Sequence, residues 1–192
     1  MDRYGRFLRA TLAMTLLFRP HLIFNGLELG ASQKALLRSD ELHRSVDLGK
    51  PIPFDVKVSL DWTAGDPANQ EFFRRMMEAA ERNQGLFQNG VMEVLESASP
   101  TSIVAYSVGK AGSGKAFVAA ANFGDSSPWG HFRFGEPLLE GGFMPQEDKT
   151  YVLTDAAHPG KVYERTGKEL LEKGLFVHLP PGDVHLFEIE EK

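Results

Sequence analysis

The side chains best placed for acid–base chemistry are Glu28, Asp55 and Asp61. Glu28 follows an Asn25-Gly26 turn that closes a short apolar run from His21 to Phe24. In parallel α/β folds the loops leaving the carboxyl ends of strands build the active site, so Asn25 and Glu28 stand where chemistry is concentrated. Asp55 and Asp61 lie in the long connection that follows, from which either could fold back toward Glu28. Two carboxyl groups roughly 5–10 Å apart can share the roles of acid and nucleophile or base. Trp129, in the turn-rich stretch SSPWGHFRFG, offers an aromatic platform for a sugar ring, against the commoner fate of packing in a core or an interface.

Other constellations point away from chemistry. Residues 109–115, GKAGSGK, approach the phosphate-binding loop pattern, but Ala116 stands where a Ser or Thr would ligate Mg²⁺. The run that follows, AFVAAANF, reads as a strand and not as the helix that loop must open, which makes GKAGSGK a hairpin tip. The 6 histidines show no metal-site spacing; His178 and His185 bracket a Pro-Pro-Gly turn and read as sheet-surface residues. No Gly-x-Ser-x-Gly nucleophile elbow occurs. No metal and no cofactor is expected.

The elements that must position these residues fall into two textures. Between Phe7 and Phe18 apolar residues fill almost every position, which predicts a helix buried on most of its circumference. Arg19-Pro20 stops it, and the unbroken apolar run to Phe24 reads as a parallel strand covered on both faces. Asp66-Pro67 predicts a helix start, with Phe72, Phe73, Met76, Met77 and Ala80 on one face and the charges on the other. After Gly90 eight strand-length runs, from VMEVLE to VHLFEI, are separated by Gly, Pro, Ser and Asp clusters, the pattern of an antiparallel β domain and enough for a two-layer sandwich.

Composition narrows the classes. A chain of 192 residues can bury a proper core, but a complete (β/α)8 barrel alone needs about 250. A formal charge of −5 without basic runs argues against nucleic acid as partner. The first apolar run, roughly 12 residues against the ~20 of a membrane span, predicts no transmembrane segment, and no small-x-small cleavage site follows it. With no cysteine there is no disulfide framework; the compartment stays open, a cytoplasmic location being favoured over secretion.

The stretch LIFNGLELG (22–30) resembles the last barrel strand and its Gly-x-Glu turn in the α-amylase superfamily, the family 13 glycoside hydrolases and transglycosidases. IPFDVKVSLDW (52–62) is similar to that family's Pro-Phe-Asp and Asp-Trp loop, ANQEFFRRMMEAAERNQGLFQNG (68–90) to its final barrel helix, and LPPGDVHLFEI (179–189) to the last strand of its C-terminal domain. The resemblance implies an α/β plus all-β organisation. Residues 1–88 would be the last strand and flanking helices of a TIM-type (β/α)8 barrel, and residues 89–192 a C-terminal antiparallel β-sandwich. It also implies a parent enzyme that cleaves or transfers α-glucosyl linkages in α-glucans or maltooligosaccharides, with the N-terminal part of the barrel as missing partner. Asn25, Glu28, Asp55, Asp61 and Trp62 would line the substrate side, Glu28 supporting the floor of the site without doing the chemistry. The family's nucleophilic Asp, acid/base Glu and stabilising Asp motifs do not occur here, so the chain is expected to be inactive alone. The alternatives are a non-catalytic carbohydrate-binding or scaffold β-sandwich protein and a nucleotide binder through residues 109–115.

Overall fold

The computed structural model describes residues 7–16, 66–134 and 141–192. Asn25, Glu28, Asp55, Asp61 and Trp62, the expected barrel strand and the loop after it lie outside the described residues, and the (β/α)8 portion is not shown. Among the described residues two helices come first, α1 (Leu8–Leu16) and α2 (Pro67–Arg82), followed by the short α3 (Gln84–Asn89). Strands β1 (Val91–Ser97), β2 (Ile103–Gly109), β3 (Lys115–Asn122), β4 (Trp129–Arg133), β5 (Thr150–Asp155) and β6 (Val162–Thr166) then lead to α4 (Gly167–Glu172), β7 (Leu175–His178) and β8 (Val184–Glu191). All eight predicted runs are strands.

The strands form one antiparallel sheet in the order β6-β5-β8-β3-β2-β1-β4-β7, curled on itself. A two-layer sandwich was the expectation; what joins the layers is β1, which pairs with β2 from Val91 to Leu95 and with β4 at Glu96 and Ser97. The inner face carries Ala105, Ala116 and Ala120 at the centre of the sheet, while Phe132, Tyr151, Leu153, Leu175 and Phe187 approach from nearer its ends. Phe143, from the loop before β5, wedges edge-on against Phe134 and Tyr151, at 5.7 and 5.8 Å between ring centroids. Full burial of each such ring contributes about 1.5–3 kcal/mol.

The outer face of β2, β3 and β8 is covered by helices. Val108, Phe117, Ala119, Ala121, Val184 and Leu186 meet Ala10, Leu12 and Ala13 of α1 and Phe72, Met76 and Ala79 of α2. Helix α2 starts as its sequence dictates, Asp66 Oδ1 accepting from the Ala68 N–H at 2.9 Å with Pro67 in the first turn. At its far end Glu188 of β8 accepts from Arg82 (2.8 Å) and Asn83 (2.6 Å), fixing the helix to the sheet. Residues 110–114 are the turn between β2 and β3, with Gly112 and Gly114 at φ 69 and 65°, so GKAGSGK is a hairpin tip and 116–122 is strand. Helix α4 opens with a reciprocal Thr166–Glu169 capping box. Among the described residues no helix is long and apolar enough to cross a membrane.

Candidate functional site

Pairing of β5 with β8 sets Asp155, the last residue of β5, beside the start of β8. The Asp155 side chain is fully buried and accepts four hydrogen bonds. Oδ1 takes the N–H groups of Ala157 (3.0 Å) and Leu186 (3.1 Å). Oδ2 takes Nδ1 of His158 (2.7 Å) and Nδ1 of His185 (2.6 Å). An ionised carboxylate only accepts, so both imidazoles carry their proton on Nδ1. Nε2 of His158 faces Asp183 Oδ2 at 3.3 Å.

The electrostatics follow from these contacts. Burial alone would push the Asp155 carboxyl up, but hydrogen bonds from His158 and His185 outweigh it and hold the group well below the usual carboxylate range. His158, bonded to Asp155 and then to Asp183, is pushed up from 6.5 to about 9 and is an imidazolium at neutral pH. Asp183 is lowered because the His158 and Val184 bonds overcome its own burial. The group is a latch that ties the turn after β5 to the start of β8.

His185 was expected on the sheet surface and is instead buried at 8% exposure, because residues 185, 187 and 189 of β8 turn inward. One ligand atom each from Asp155, His158 and His185 fall within 4.8 Å of one another, a set that could hold a metal ion. Bonds of about 2.0–2.2 Å in a tetrahedral site would set ligand atoms about 3.3 Å apart. The 2.6 and 2.7 Å separations here are those of hydrogen bonds. No described hydroxyl bonds to either imidazole, so the carboxylate orients them without a nucleophile to serve. The sequence signal for this cluster was the Asp-x-x-His turn at 155–158; its second histidine arrives only through the pairing of β5 with β8.

His185 also lines a cleft of about 250 Å³ that runs between the two ends of the curled sheet. Its walls are Lys161, Tyr163 and Arg165 from the β6 side and Phe176 and His178 from β7, with Phe187 beside His185. The Phe187 ring stacks on His185 (4.8 Å) and meets Tyr163 edge-on (6.0 Å). On the outer face of the β4–β7 pair Trp129 is 63% and Phe176 51% exposed. Their rings lie 6.2 Å apart at 34°, with His131 beside Phe176 at 5.3 Å. Trp129, the expected sugar platform, is thus outside the core and has a second exposed aromatic next to it.

The described part of the molecule is therefore a curled antiparallel β domain with helices on its convex side. No protein-family model and no curated protein matches the sequence. Solved structures do: a noncanonic maltogenic α-amylase, AmyB, from Thermotoga neapolitana is similar with a TM-score of 0.64 at 9% identity, over 99% of this chain and 37% of that one. MutB, as an inactive double mutant in complex with isomaltulose, has a TM-score of 0.50 at 13% identity, over 97% of this chain and 39% of that one. The fold is one found in the C-terminal region of glycoside hydrolase chains, and this chain spans well under half the length of the two structures.

Proposed function

We propose that this chain is the C-terminal part of an α-amylase-superfamily glycoside hydrolase or transglycosidase acting on α-glucans or maltooligosaccharides. The catalytic carboxylates would be carried upstream of these residues. The supporting observation is the extent of the likeness to a maltogenic α-amylase, 99% of the chain, so that the helices before the sheet are part of it as well as the sheet. In this reading residues 1–88 close the barrel, Asn25, Glu28, Asp55, Asp61 and Trp62 line its substrate side, and the β domain from residue 89 buttresses it through α1 and α2. Glu28 supplies a single carboxylate where the reaction needs two.

A second reading, a carbohydrate-binding protein without catalysis, is favoured by the exposed Trp129–Phe176 pair, whose flat faces suit a pyranose ring. Two measurements test the first reading. The purified chain is expected to release no reducing ends from maltoheptaose; activity abolished by both Glu28→Gln and Asp61→Asn would refute the incomplete site. The coding sequence upstream of Met1 is expected to carry in frame an Asn-His-Asp motif and earlier barrel strands. If it does not, and if an amylopectin gel retards the chain but not Trp129→Ala, the second reading stands.

A further inference from the structure

Alternation along the chain places Tyr163 and Arg165 of β6, and Lys161 just before it, on the side that lines the cleft. In a chain of net charge −5, these two cations meet two imidazoles, His178 and His185, in one small space. Neither Lys161 nor Arg165 forms an ion pair with a carboxylate among the described residues, although Arg165 lies near enough to Glu169 to help lower its pKa. Arg165 is held in place all the same: Nη1 donates to the Glu164 carbonyl at 2.7 Å, and the guanidinium lies 5.9 Å from the centre of the Tyr163 ring. Nε and Nη2 remain to donate as a fork, the geometry that matches a carboxylate or phosphate. The carboxylate bonded to His185, Asp155, has both oxygens occupied by hydrogen bonds.

The rest of the cleft is suited to a ring. Tyr163, Phe176 and Phe187 supply aromatic surface, and the imidazoles supply polar atoms for hydroxyl groups. At about 250 Å³ the space lies below the roughly 300–1,000 Å³ of pockets for drug-sized ligands, which selects a single sugar unit over an oligosaccharide.

We propose that this cleft binds a monosaccharide carrying an anionic group, a sugar phosphate or a uronate, with Lys161 and Arg165 on the anion and the aromatic walls on the ring. The site shares Phe176 with the Trp129 platform but differs from it in holding the two cations, and it does not depend on the glycosidase reading.

Isothermal titration of the full chain with glucose 6-phosphate, glucuronate, glucose and inorganic phosphate tests it. At least one anionic sugar is expected to bind with one-to-one stoichiometry, ten times or more tighter than both glucose and phosphate. Which of the two binds more tightly distinguishes a phosphate from a carboxylate as the recognised group. Raising ionic strength should weaken binding, because the contacts are partly exposed. The double variant Lys161→Ala/Arg165→Ala is expected to lose at least tenfold, whereas Lys168→Ala, on α4, should not change it. Arg165→Lys keeps the charge without the fork and should fall between, which covers the case of a double variant that unfolds. Absence of saturable binding by either anionic sugar, unchanged affinity in the Arg165 variants, or glucose binding as tightly as its anionic derivatives would overturn the proposal. Gel retardation by amylopectin is a separate readout, so this site and the glucan reading can fail independently.

Discussion

His158→Gln should cost stability at pH 6 and almost none at pH 9.5. His158 titrates at about 9 in the folded chain against 6.5 when unperturbed. A group whose pKa is raised by folding contributes its full stabilisation below the unfolded value and loses it as pH rises through the folded one. The gap corresponds to about 3 kcal/mol at ~1.4 kcal/mol per tenfold change in protonation. The imidazole is 27% exposed, and solvent screening lowers the figure to about 2–3 kcal/mol. Asp155 has the opposite sign: its lowered pKa makes its contribution full above the ordinary carboxylate range and lost in acid. Urea unfolding of both chains at pH 6.0, 7.5 and 9.5 is the assay. Wild type should weaken from pH 6.5 to 9.5 while the Gln variant stays nearly flat, so the gap shrinks from about 2–3 to under about 1 kcal/mol. In thermal melts the pH 6 gap should be about 5–10 °C, since a domain of 150–250 residues moves about 2–4 °C per kcal/mol. A gap that is the same at pH 6 and 9.5 would show that His158 is merely packed there and that the latch carries no charge coupling.

Asn122→Ala should cost about 2–4 kcal/mol in urea unfolding, because the buried amide accepts from Gly124 N and Ser102 Oγ and donates to the carbonyls of Ser126, Leu179 and Pro180. Asn122→Asp should cost more, since it turns a carboxylate oxygen toward three carbonyls. Gly167→Ala should destabilise by about 2–3 kcal/mol or more, its Cβ meeting the Gln146 carbonyl oxygen at 1.8 Å. Gly112→Ala, at φ 69° in open space, should cost only the backbone strain of about 1–2 kcal/mol. ATP should leave the melting temperature unchanged, since residues 110–114 are a hairpin turn and no helix N-terminus follows.

What was legible in the sequence was local. Strand-length apolar runs bounded by turn residues located all eight strands, Asp66-Pro67 located the start of α2, and the dense apolar run from Phe7 located α1. Helix α4 was missed, although the Thr166-x-x-Glu169 capping box that opens it is an equally local signal. Partner choice was not legible. The switch of β1 from β2 to β4 after Leu95 leaves no mark in a burial pattern, and it turns two expected layers into one curled sheet. The latch was hidden for the same reason, its two histidines lying on opposite sides of β6, α4 and β7 along the chain.

The curl also explains why the candidate chemistry collects at the ends of the sheet. The middle strands are spent twice over, β3 being buried on its inner face by aromatic and aliphatic side chains and on its outer face by α1. Among the described strands β6 and β7 end the sheet, and both are short, five and four residues. Open edges invite pairing with another chain, and polar or charged side chains discourage it. Curling brings those two edges to the same cleft, so Lys161 and Arg165, which protect β6 as an edge, face Phe176 and His178 of β7. Edge protection alone accounts for charges on β6. It does not account for cations of one sign beside aromatic walls, with the oxygens of the adjoining carboxylate already occupied by hydrogen bonds; that combination is what a ligand site adds to an edge.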